Sequence, residues 1–246
     1  MKAEDVKKRF DDFALPRRVS DLEWFFKTEP GGYGEGDRFI GTTVPNSRKV
    51  AAEFAALPAS EIEKLSKSEF HEHRFCALII LTTRFEKSKD EKVSKELFEL
   101  FMKLLDAGAV NNWDLVDATA PRLGNWLVGR PDAMETLMAL AEHEDLWHRR
   151  TAVLFTFAFI REFELEPIFV LAEKLMTDQH DLMHKAIGWM LREAGKRDIL
   201  QLNEFLEDHA ATMPRTMLRY SIEKMTKAER ADWLSRKSRL QQERDR

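Results

Sequence analysis

Cysteine is almost missing from this chain. Cys76 is the only one among 246 residues, and it lies in the apolar run Phe75-Cys76-Ala77-Leu78-Ile79-Ile80-Leu81. No disulfide can form within the chain, so a reducing compartment and a buried, inert thiol are expected. Glycine (10) and proline (8) are sparse as well, which disfavours a turn-rich β protein and favours long helices. No apolar run reaches the roughly 18 residues of a membrane span, and Met1 to Lys8 is charged where a signal peptide would be apolar. A cytoplasmic or nucleoid-associated protein with no membrane partner is expected. Excess positive charge is also lacking: 39 basic against 43 acidic residues leave a net charge of −4. That excludes a uniformly basic nucleic-acid binder but leaves room for a local basic face.

Signatures of bound chemistry are scarce too. No Gly-rich phosphate-loop signature or nucleophile elbow occurs. Of the seven histidines, His71 and His73 diverge on a helix, and His180 and His184 share a face without a third ligand. No metal and no cofactor are expected.

What the chain does have is helical periodicity from end to end. Ala3 to Phe13 forms a first amphipathic stretch, stopped by Pro16. Asp21 to Lys27 carries Leu22, Trp24, Phe25 and Phe26. One true loop, Glu29 to Asp37, holds four glycines within six positions. Pro45 followed by Asn46 or Ser47 reads as a helix start, either side chain serving as cap. Helix pairs follow, and their second helices resemble one another. Setting Arg74, Asp114, Arg150, Lys185 and Arg219 as equivalent gives spacings of 40, 36, 35 and 34 residues, the range of two-helix repeats. The expected fold is all-α: a curved solenoid forming one domain over 1–246. Residues 1–45 would cap it, 46–235 would hold the repeats, and the charged run 236–246 would be a frayed helix or a tail.

Asn111-Asn112-Trp113-Asp114-Leu115-Val116-Asp117 is the most informative stretch. Residues four apart share a helix face, so Trp113 and Asp117 address one object. An indole face attracts cations, and a carboxylate stabilises positive charge. Tryptophan on an apolar helix is commonly core, but Trp113 and Trp189 both sit among charged residues. Trp24, Trp126, Trp147 and Trp233 read as packing residues, Asp114 as a surface or capping carboxylate. The competing use of Asp117 is as a helix cap, since Asp117-Ala118-Thr119-Ala120-Pro121 is itself a start signal.

An ordered set of motifs now resembles a known family. It comprises Gly41 to Ala51, Glu72 to Leu78, Trp113 to Asp117, Trp147 to Ala152, Lys185-Ala186-Ile187-Gly188-Trp189-Met190-Leu191-Arg192-Glu193, and Met213 to Tyr220. Together they span about residues 39–224 and resemble the AlkD-type DNA alkylation repair proteins, DNA glycosylases built from HEAT-like repeats. The resemblance implies that Asp117, Trp113 and Trp189 are catalytic. It matches the family's phosphate-gripping arginine to the Arg149–Arg150 pair, with spacing favouring Arg150. The repeat register adds Lys185, Arg192, Arg215 and Arg219 as DNA-binding candidates. The implied activity is monofunctional excision of 3-methyladenine and 7-methylguanine from duplex DNA by a monomer. Two other functions stay open on the residues alone: a non-catalytic binder of unusual DNA structure, and a protein-interaction solenoid.

Overall fold

The computed structural model describes residues 1–244 and is all-α. Its helices are α1 (Ala3–Asp11), α2 (Val19–Phe26), α3 (Val44–Glu53), α4 (Ala59–Ser66), α5 (His71–Lys87), α6 (Glu91–Asp106) and α7 (Trp113–Leu123). They continue as α8 (Ala133–Ala141), α9 (Leu146–Arg161), α10 (Glu166–Lys174), α11 (Asp181–Arg197), α12 (Ile199–His209), α13 (Arg215–Ser221) and α14 (Lys227–Arg244). Single 3-10 turns cover Pro16–Arg18 and Gly124–Trp126. Among the described residues, β pairing amounts to one isolated bridge between Arg38 and Phe70. No described helix is long and apolar enough to cross a membrane.

Two compact units make up the chain, Met1–Trp126 and the part from Leu127 onward. In the first, α5 is the hub and packs on α3, α4, α6 and α7. It can do so because Phe75 to Leu81 is apolar all round and buried all round. In the second, α9 packs on α8, α10 and α11, and α11 packs on α10, α12 and α13. Within each unit consecutive second helices pack on one another, α5 on α7 in the first and α9 on α11 and α11 on α13 in the second, as in a two-helix-repeat solenoid. The repeat register read from sequence holds. Arg74, Asp114, Arg150, Lys185 and Arg219 all fall within the first five residues of α5, α7, α9, α11 and α13. Aspartates start several helices: Asp90, Asp145 and Asp198 each accept two backbone N–H groups at the starts of α6, α9 and α12.

Several local readings change. Thr43, not Asn46 or Ser47, caps α3: its Oγ1 accepts the Asn46 N–H at 3.3 Å, and Pro45 occupies the first turn, where its missing N–H costs nothing. α1 stops at Asp11, before Phe13. Trp24 is no core residue; it is 72% exposed, because the face of α2 that turns inward is that of Phe26. The stretch 236–246 continues α14 as far as Arg244, while Asp245 and Arg246 lie outside the described residues. Cys76 is fully buried as expected, and burial pushes its thiol up to about 12.

Candidate functional site at the start of α7

Asn112 places α7. Its backbone is extended, its buried side chain accepts the Trp113 N–H at 2.9 Å, and the helix begins at Trp113. The indole is half-buried and stacks on Phe26 at 5.6 Å between ring centroids, with Phe25 edge-on at 5.9 Å. Phe26 stacks in turn on Phe39 at 5.1 Å, and the His71 ring lies 4.9 Å from both. Trp113 is thus the outer member of an aromatic column that runs into the core. One turn along α7, Asp117 is half-buried on the same side, whereas Leu115, Val116, Thr119 and Ala120 are buried. The helix runs unbroken through Pro121 to Leu123, so Asp117 does not cap a following helix. Pro121 has no N–H to offer the Asp117 carbonyl four residues back.

Behind the column lies a charge network that the sequence did not disclose. His71, 3% exposed, bonds the Asp37 carboxylate through Nδ1 at 3.0 Å and the Asp114 carboxylate through Nε2 at 2.8 Å. Arg74 Nη2 donates to Asp37 and, at 3.1 Å, to Asn111, while its Nη1 donates to the Ser68 and Glu69 carbonyls. Asn111 and Asn112 donate to Asp37 at 3.0 and 3.3 Å. Burial alone would lower the His71 pKa, but the Asp114 and Asp37 carboxylates outweigh it and raise it to about 9. His71 is an imidazolium at neutral pH. Burial acts in the opposite sense on Asp37 and pushes its pKa up, yet its bond from His71 and the Arg74 charge hold it below the usual carboxylate range. Next door, Glu72 accepts the backbone N–H groups of Ile40, Gly41 and Thr42 at 2.8 to 3.1 Å and so anchors the segment that leads into α3.

The sequence reading set His71 aside as half of a failed metal pair and Asp114 as a surface or capping carboxylate. Both belong to the network instead. The signal lay in four consecutive polar residues, His71-Glu72-His73-Arg74, opening a helix that then turns apolar; all four are buried. His73 differs from His71 in having Ser68 rather than a carboxylate bonded to its ring. Burial holds its pKa down to about 4, and Ser68 Oγ meets its Nδ1 at 2.8 Å.

The candidate cations of the second unit are described by their own contacts. Arg149 pairs with Asp178 at 2.7 Å and donates to the His143 and Glu144 carbonyls. Arg150 is 4% exposed and donates to the Leu182 carbonyl at 2.5 Å. Lys185 pairs with Asp181 one turn away, and Arg192 lies between Glu193 and Glu223. Arg215 donates to the Leu234 carbonyl; it and Arg219 are exposed, while Trp189 is half-buried. His143, Asp145 and His148 bring three potential ligand atoms within 4.8 Å of one another. The two imidazoles stack at 3.7 Å, near-parallel, so their lone pairs run side by side rather than converging on an ion. Asp145 also caps α9 with the same oxygen that bonds His148.

Residues 6–225 match the family described as DNA alkylation repair enzyme. The chain belongs to the DNA alkylation repair enzyme family. Membership makes DNA its partner and alkylation repair its role. A solved structure described as a predicted DNA alkylation repair enzyme from Enterococcus faecalis superposes with a TM-score of 0.69 at 18% identity. The match covers 87% of this chain and 97% of that one and establishes the shared fold. No curated protein matches the chain.

Proposed function

We propose that this family member is a monofunctional DNA glycosylase that hydrolyses the N-glycosidic bond of cationic N3- and N7-alkylpurines in duplex DNA. The observation that carries the reading is the pairing of Trp113 and Asp117, one turn apart on the half-exposed side of a helix whose other side is core. Alkylation already gives the base a positive charge, so departure of the neutral alkylpurine needs no general acid. Breaking the bond builds oxocarbenium character on the deoxyribose, as in other glycoside hydrolyses. The Asp117 carboxylate stabilises that charge and orients the water that attacks C1′. The proton released by that water leaves to solvent, and an abasic site remains. Trp113 offers an electron-rich face to the same cation, held in position by Phe26. Trp189 takes a similar role by resemblance, and Lys185, Arg215 and Arg219, whose side chains reach the surface, are assigned to phosphates; Arg149, Arg150 and Arg192 would each have to leave a protein partner, Asp178, the Leu182 carbonyl or Glu223, to join them.

The deciding experiment measures base release from duplexes carrying single lesions. 3-Methyladenine and 7-methylguanine should be freed in EDTA, leaving an abasic site without a nick. Uracil, 1,N6-ethenoadenine and 8-oxoguanine carry no formal positive charge and should stay in place. Release of uracil at a comparable rate would require a base pocket or proton donor and would overturn the mechanism. Tight DNA binding with no release of any lesion would leave a binding protein.

A further inference from the structure

His71 is the hinge-pin of the region behind Trp113, and nothing in the glycosylase chemistry uses it directly. Three chain segments meet on its ring: Asp37 from the end of the Gly-rich loop, Asp114 from the first turn of α7, and the aromatic pair Phe26 and Phe39. Phe26 is also the ring on which Trp113 stacks. The other charged group facing this cluster is Arg74 of its own helix, which is bonded to Asp37. The His71 ring therefore packs against Phe26, the floor under the indole, and its Nε2 holds the residue next to the indole in sequence.

We propose that His71 is a positioning residue: as an imidazolium clasped between Asp37 and Asp114 it holds the first turn of α7, and with it the Trp113 indole, in the orientation that binds the cationic lesion. The proposal rests on the glycosylase reading for its consequence but not for its geometry. A neutral imidazole has one N–H, so it can donate to only one of the two carboxylates. The other contact becomes lone pair against carboxylate, which repels. Deprotonation should therefore release either the loop or the start of α7. Such a displacement of the indole by about 1 Å is enough to slow a chemical step by roughly 100-fold.

The test follows Trp113 directly. The difference in fluorescence between the parent and Trp113→Phe isolates the emission of Trp113 from that of the other tryptophans. Titrated with alkali, it should show a transition with midpoint near 9, the pH at which His71 loses its proton. His71→Gln should remove the transition. Asp114→Asn, close to isosteric, keeps the fold testable if His71→Gln fails to fold, and should move the midpoint down toward the ordinary histidine value of about 6.5. In parallel, single-turnover release of 7-methylguanine at pH 7 should fall at least about 10-fold in His71→Gln with DNA binding unchanged within about 2-fold. A flat Trp113 titration in the parent, or a midpoint that ignores Asp114→Asn, overturns the proposal whatever the release assay shows. Absence of base release in the parent, with the fluorescence transition intact, would sink the glycosylase reading and leave the positioning role standing.

Discussion

The starts of the second helices are built from the same residue types in both units, but they use charge in opposite ways. At α5 and α7, ions face ions inside the protein: Asp37 and Asp114 neutralise His71 and Arg74 through side-chain contacts. At the start of α9, the guanidiniums of Arg149 and Arg150 reach main-chain carbonyls, and the one buried carboxylate they meet, Asp178 against Arg149, also holds the His180 N–H. A carbonyl that loses its donor can often find water. A buried carboxylate that loses its cation cannot. The first unit is thus stiff and intolerant where it carries Trp113 and Asp117, while the second is strapped together by contacts that each matter less.

The comparison breaks most sharply at Asp117. Asp117→Asn should lower single-turnover base release by roughly 100- to 1,000-fold and leave duplex affinity nearly unchanged, because only the charge opposite the oxocarbenium is removed. Release at the parent rate would remove Asp117 from the mechanism.

Stability measurements probe the network next. Asp37→Ala leaves the buried Arg74 without a carboxylate and His71 with Asp114 alone, and should cost about 3–5 kcal/mol in denaturant unfolding. Arg149→Ala should cost about 2 kcal/mol, since Asp178 keeps the His180 N–H as a donor. Equal losses would erase the distinction between the units.

Titration of the melting temperature tests the same point. The pKa of His71 is raised to about 9, so its contribution is complete below about 6.5 and is lost as pH climbs through 9. The pKa of His73 is depressed to about 4, so the fold loses stability as pH falls from about 6.5 toward 4. The maximum should lie near pH 6.5, with each limb no steeper than about 1.4 kcal/mol per pH unit. His71→Gln should flatten the alkaline limb alone.

The smallest effect is expected at Lys185, an exposed pair with Asp181. Lys185→Ala should change stability by less than about 0.5 kcal/mol while reducing the salt slope of DNA binding by about 1. An unchanged slope would take Lys185 out of the phosphate contacts.

Helix periodicity made the repeats legible, and the Trp113–Asp117 spacing made the face of α7 legible, because both are local properties of sequence. The network was not, since Asp37 finds Asn112 across 75 positions and His71 finds Asp114 across 43. Local pattern carries no information about such partners. It also misled at Trp24, read as a packing residue although it is 72% exposed. The Asn111-Asn112 pair was visible beforehand, but its task of binding Asp37 was not.

Those long separations bear on how the chain reaches its native state. Arg149 and Arg150 find their partners 29 and 32 residues away, roughly one repeat, so the second unit can assemble from neighbouring segments. Asp37 reaches its full set of partners only after helices α3 to α6 have been laid down between the Gly-rich loop and Asn111. Closing that span is entropically expensive and comes late. Refolding should therefore be biphasic in time: helical signal returns early, and Trp113 acquires its native environment last.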